Sequence, residues 1–279
     1  MTDFYLSETG ILKNKLGIED ANMLQRAEAD YTKLRLYELE LLETPTGNFD
    51  IYHLKALHQH LFQDVYEWAG RTRADEIEID GIRFASLPLF SKGDTTFMVS
   101  PQVNQHLERV LKAIAGQGLK GLSRLKFTQQ AADLLSAINS NHPFREGNGR
   151  TQRAFINELA KDAGYLLDWG VVSQERMVAV SIASFNGDLP AMRRLLEEIA
   201  DPVKVAALRN ALHYLEQQSI NWNERYVAIA TPGVSYSGVV VATAKQHVIL
   251  FSSDHQVIVA KVRDIPRDGK TEEVRFTSS

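Results

Sequence analysis

Apolar residues recur at helical spacing through most of the chain. From Glu19 onward, Leu24, Ala27, Tyr31, Leu34 and Leu41 fall at intervals of three, four and seven, until Thr44-Pro45-Thr46-Gly47 interrupts the pattern. A second helix is expected with Asp50 as its N-cap and Leu54, Leu57 and Leu61 on the buried side. Ser100-Pro101 opens a third, carrying Val103, Leu107, Val110 and Ile114. Phe127, Ala131, Leu134 and Ile138 mark a fourth from about Ser123, and Phe155, Ile156, Leu159 and Ala163 a fifth from about Asn148 to Gly164. Helices are expected again over Ser173–Phe185 and Leu189–Ile199, and from Asp201-Pro202 to about Gln218.

The period changes in two places. Ile77 and Ile79 alternate with Glu76, Glu78 and Asp80; Asp80-Gly81 is a type I′ turn signal, and Ile82-Arg83-Phe84 runs back, which makes a short hairpin. From Asn221 the runs become short and β-branched: Tyr226–Ala230, Ser237–Thr243, His247–Phe251 and Gln256–Val262, divided by turn residues. The fold class that follows is mainly α with a short β-hairpin, then a small all-β C-terminal module.

Composition narrows the function. The 279 residues are 44% hydrophobic and 24% charged, values of a globular protein with room for a sizeable core. A net charge of −4 offers no general attraction to nucleic acid or anionic membrane, and no apolar run is long enough to span a bilayer. The absence of cysteine excludes disulfides, thiolate metal sites and a cysteine nucleophile. His53, His58 and His60 share the second helix without the four-residue spacing of a metal-binding pair, so they read as packing or polar residues.

The chemistry concentrates in Asn141–Arg153, NHPFREGNGRTQR. Gly147-Asn148-Gly149 can turn the backbone tightly and empties into a helix N-terminus, whose N–H groups and positive dipole end suit phosphate. Arg150 and Arg153 share a face of the first helical turn and can clamp further phosphates. Glu146 among these cations makes sense if a divalent cation such as Mg²⁺ joins it to phosphate oxygens. His142 is the candidate general base, and Phe144 reads as a structural anchor for the loop.

This stretch resembles, at every defined position, the motif H-x-F-x-[DE]-G-N-G-R-x-x-R of the Fic (filamentation induced by cAMP) family. The resemblance implies transfer of AMP from ATP to a Ser, Thr or Tyr hydroxyl of a target protein. It makes His142 the base and Glu146 the Mg²⁺ ligand, and it assigns the nucleotide to Arg145, Glu146, Gly147, Asn148, Gly149, Arg150 and Arg153, with the two last arginines on the β- and γ-phosphates. Relatives that phosphorylate carry lysine in place of the second glycine, so Gly149 favours adenylylation. A nucleotide-dependent binding or regulatory protein is the alternative, and such a protein has no need of His142.

The same resemblance organises the rest of the chain. Residues 1–200 correspond to a Fic-type helical bundle, 201–220 to a connecting helix and 221–279 to a small OB-like module, read as a spacer or docking element rather than a nucleic-acid binder. The hairpin corresponds to the family's flap, which docks an extended segment of the target through Glu76, Ile77, Glu78, Ile79, Ile82, Arg83 and Phe84. Its acidic first strand, Asp75 and Asp80 included, suggests a basic target segment. Asn186 is a further nucleotide contact on this reading, or a helix C-cap. Many family members carry an inhibitory helix, [S/T]-x-x-x-E-[G/N]. Here only Glu146 precedes Gly or Asn, and His142 stands four residues before it. The resemblance then implies a small antitoxin-like protein supplying that glutamate in trans, with an unregulated enzyme that is inactive until it meets a host target as the alternative. The arrangement resembles effectors that type IV secretion carries from the bacterial cytoplasm into a host cell, and the chain reads as the N-terminal part of such an effector.

Overall fold

Helices form close to the expected bounds. The computed structural model describes residues 3–42, 45–86, 91–92, 95–97, 99–244, 246–254, 256–266 and 274–279. Two compact units result, one of Met1–Ser123 with Asp133–Tyr165 and one of Arg124–Ala132 with Leu166–Ser279.

In the first unit, α1 (Ala21–Leu42) precedes α2 (Ile51–Phe62), whose N-cap Asp50 accepts the His53 N–H at 2.9 Å. Leu54, Leu57, Leu61 and Phe62 of α2 are fully buried, and α2 packs against α1 and two further helices, α3 (Ser100–Leu111) and α5 (Asn148–Asp162). Helix α3 starts at Ser100 with Val99 in the cap position, one residue earlier than its sequence suggests, and Pro101 sits in its first turn. Helix α4 (Arg124–Asn141) delivers its last turns to this unit, ending at the glycine-bearing loop. The hairpin pairs β1 (Ile77–Ile79) with β2 (Ile82–Phe84), Ile77 opposite Phe84. Asp80 and Gly81 both take positive φ, at 53° and 73°, as a type I′ turn demands. A second, shorter pair joins β3 (Ser91–Lys92) to β4 (Thr95–Thr96).

The second unit carries α6 (Gln174–Phe185), α7 (Leu189–Ile199) and α8 (Pro202–Gln217), and a five-stranded sheet. Its strands are β5 (Val227–Ile229), β6 (Ser235–Thr243), β7 (His247–Ser252), β8 (Val257–Lys261) and β9 (Val274–Thr277), in the order β5-β8-β7-β6-β9. Pairing is antiparallel except between β5 and β8, and the β6–β7 register shifts at a bulge between Val240 and Ala242. Val248, Leu250, Ile258, Ala260 and Phe276 belong to one core cluster on the sheet, and Val257 and Val259, pointing the other way, are buried too.

Candidate functional site

The loop after α4 is held from three directions. The His142 N–H still bonds back to Ile138 and Asn139, but the residue itself turns to a φ of 47°, which ends the helix and swings the chain aside. Arg73, fully buried in the segment before the hairpin, clamps this turn. Its Nε donates to the His142 carbonyl at 2.8 Å, its Nη2 to the Asn141 carbonyl at 3.1 Å, and its backbone N–H to the Pro143 carbonyl at 2.7 Å. Burial lowers its pKa to about 10, so it stays charged at neutral pH.

The middle of the loop is fixed by Phe144, Asn148 and His58. Phe144 is buried, its ring 3.9 Å from that of His58 and nearly parallel. The Asn148 side chain brackets the Phe144 backbone, accepting its N–H at 2.9 Å and donating to its carbonyl at 2.8 Å. His58 accepts the Gly70 N–H on Nδ1 at 2.8 Å, which leaves Nε2 to donate to the Glu146 carbonyl at 3.1 Å. Burial pushes the His58 pKa down to about 3, so the ring is neutral. Gly147 closes the loop with a φ of 81°, and a Cβ there would lie 2.3 Å from the Phe62 ring. Only glycine meets both conditions. Gly147 is also the N-cap of α5, so no side chain caps that helix start.

Four charged groups surround this start, each handled differently. Glu146 is half-buried, and its Oε1 accepts the Gly147 N–H at 2.9 Å. Arg145 reaches Asp3 through Nε at 3.0 Å and Nη2 at 2.9 Å. Arg150 pairs with buried Glu28 of α1, donates to Thr32 Oγ1 at 3.2 Å and lies 4.8 Å over the Phe62 ring. Glu28 also accepts the Tyr66 hydroxyl. Arg153 is half-buried and, among the described residues, pairs with no carboxylate; burial and the neighbouring Arg150 charge lower its pKa. A Cβ at Gly149 would come within 3.3 Å of Arg153 Nη1, so the glycine keeps that side open. His142 lies half-buried with its ring 4.0 Å from Phe97. Asn141, just before it, donates to the Val103 carbonyl at 3.0 Å.

The structure thus brings His142, Phe144, Arg145, Glu146, Gly147, Asn148, Gly149, Arg150 and Arg153 into one loop and helix start. The hairpin buries Ile77 and Ile79 and exposes Glu76, Glu78, Ile82 and Arg83. Asp75 is not part of its acidic face: it bonds Lys55, Asn104 and the Thr72 N–H. Asn186 belongs to the second unit, exposed as the C-cap of α6. Sequence reasoning missed Arg73 and Glu28, and it read His58 as a packing or polar residue without its link to the loop. Only His58 gave a signal, as a polar residue beside the apolar positions of α2.

In the second unit, Arg176 and Glu198 form a buried ion pair at 2.7 Å between α6 and α7. They line a cavity of 510 Å³ with Tyr226, Tyr236 and Ser252.

Among the described residues no helix is long and apolar enough to cross a membrane. Residues 48–160 match the Fic/DOC family model. The chain is 35% identical over 235 residues to a protein adenylyltransferase of Bartonella henselae, a match covering 82% of this chain and 43% of that relative. The chain therefore spans less than half the length of that curated relative. The type IV secretion system effector protein BepA superposes with a TM-score of 0.87 at 31% identity, over 98% of this chain and 95% of that one. BepC of Bartonella tribocorum, solved with bound AMPPNP, gives a TM-score of 0.66 at 34% identity, over 71% of this chain and 96% of the other. With the loop, the hairpin and the helices around them matched to such relatives, the chain belongs to the Fic/DOC family.

Proposed function

We propose that the chain is a protein adenylyltransferase, moving AMP from ATP to a Ser, Thr or Tyr hydroxyl of a target protein. The observation that carries this reading is Arg153, a half-buried cation on the second turn of α5 with no carboxylate partner among the described residues, near a helix start that no side chain caps. Such a site stabilises a polyanion. The AMPPNP bound by BepC supports a nucleotide as that anion.

The phosphates would lie over Gly147, Asn148 and Gly149 and against Arg153. Arg150, already paired with Glu28, contributes less. Among the described residues no group of three His, Cys, Asp or Glu stands ready to hold a metal. Glu146 fits as the single protein carboxylate to a hard cation whose other ligands are phosphate oxygens and water. Mg²⁺ bound there would neutralise phosphate charge. The target hydroxyl, presented by the hairpin, attacks the α-phosphorus. The new O–P bond forms as the bond to pyrophosphate breaks, and the hydroxyl proton passes to His142. Arg153 takes the charge of the departing pyrophosphate.

The absence of the inhibitory glutamate pattern supports control by a separate small helical protein whose carboxylate reaches Arg153. The likeness to BepA supports delivery into a host cell by type IV secretion. The five-stranded sheet serves in this reading as an OB-like spacer or docking module. The test is intact mass after incubation with ATP and Mg²⁺. The wild-type chain should gain one AMP, and His142→Ala should lose roughly 10²–10⁴-fold in rate with ATP still bound. Nucleotide binding without transfer to the chain itself or to lysate proteins would leave a binding protein instead.

A further inference from the structure

Residues 3–13 touch both the loop and the hairpin. Asp3 accepts Arg145 Nε and Nη2 on one oxygen and the Tyr5 N–H on the other, at 3.1 Å. Phe4 stacks on Phe84 of β2 at 4.7 Å and 11°. Tyr5 is buried edge-on against Trp68, with ring centroids 5.2 Å apart. The chain then doubles back: the Ser7 N–H bonds the Ile11 carbonyl and the Lys13 N–H the Tyr5 carbonyl, at 2.7 and 2.8 Å. Lys13 finishes at the hairpin turn, with Nζ 3.4 Å from Asp80. One folded segment, anchored by Tyr5, thus contacts Arg145 of the loop, the last residue of β2 and the turn between the strands.

The hairpin needs such support. A pair of three-residue strands is marginal alone in water. Strand β1 buries Ile77 and Ile79, but β2 exposes Ile82 and Arg83 and is half-buried only at Phe84, the residue stacked on Phe4. We propose that residues 3–13 are a positioning element that holds the hairpin in register with the histidine-bearing loop, Phe4 fixing the strand that presents the target segment. The presentation of a target rests on the transferase reading above; the mechanical linkage does not.

The experiment compares wild type, Phe4→Ala, Phe4→Tyr and Asp3→Asn as full chains by hydrogen exchange, ATP binding and transfer of labelled AMP to lysate proteins. Phe4→Ala should speed exchange over residues 77–84 by roughly three- to tenfold, the factor an aromatic pair is worth in a local opening equilibrium. Exchange over 142–153 and ATP affinity should stay at the wild-type level. Transfer should fall by a similar factor with an unchanged KM for ATP, and Phe4→Tyr should restore both readouts. Asp3→Asn should loosen the loop as well as the hairpin. Unchanged exchange over 77–84 in Phe4→Ala overturns the proposal, whatever happens to transfer. If wild type transfers no AMP, the transferase reading fails, and the exchange comparison still decides the linkage.

Discussion

Each unit of this protein buries positive charge, and at Arg176 and Arg153 the two do so by opposite means. In the second, Arg176 of α6 meets Glu198 of α7 at 2.7 Å, with both side chains nearly inaccessible. Burial opposes its charge, yet the carboxylate holds its pKa above the ordinary value. In the first unit, Arg73 is satisfied by backbone carbonyls, His58 is kept neutral between two backbone groups, and Arg153 has no carboxylate at all among the described residues. The first arrangement finds its counter-charge within the protein. The second leaves a cation without a carboxylate among the described residues, which is what sets a candidate ligand site apart from a structural ion pair.

The contrast can be broken at several points. Glu198→Ala strands a buried guanidinium and should cost about 3–5 kcal/mol in urea unfolding, the largest stability effect expected here. Arg153→Ala should behave in the opposite way. It removes an uncompensated charge, so stability should hold or rise slightly, while ATP affinity by calorimetry falls about 10- to 100-fold, as for a charged hydrogen bond lost. Equal stability losses in the two variants would erase the distinction.

A smaller effect belongs to His58. Its folded pKa, about 3, lies below the unfolded value, so on acidification the unfolded chain binds the proton first. Stability should therefore be full above about pH 6.5 and decline progressively toward pH 3, by at most about 1.4 kcal/mol per pH unit for this group. Melting temperatures of wild type and His58→Gln across pH 7 to 5 check this, and the variant should show the flatter profile.

Much of this was legible in the sequence because it depends on local pattern. Helix α2 with its Asp50 cap, the Asp80-Gly81 turn and the loop from His142 to Arg153 all announce themselves through spacing or turn chemistry. What holds the loop was not legible. Arg73 stands 69 residues from the carbonyl it grips, and Glu28 stands 122 from Arg150. Neither lies in a motif, and an isolated arginine or glutamate carries no periodic signal. Tertiary contact also redistributed the acids: Asp75 reads as one of a row of hairpin carboxylates, but its oxygens are occupied by Lys55, Asn104 and Thr72. In sequence, Met1–Gly17 reads as an irregular arm that Tyr5, Ile11 and Leu12 could tack onto the core. Its contacts with Phe84 and Arg145 exist only once the hairpin and loop are in place.

The Asn148 side chain has one further consequence. Each end of its amide is held by the Phe144 backbone and the residue is buried, so what it can offer a ligand is chiefly its main chain. The glycines on either side have no side chain to offer, and the Phe144 ring faces His58. A surface built this way registers charge and spacing but is blind to the identity of a purine or pyrimidine. On the adenylyltransferase reading proposed above, discrimination between ATP and other nucleoside triphosphates would fall to residues outside the loop, so base preference and phosphate affinity should be alterable by separate substitutions.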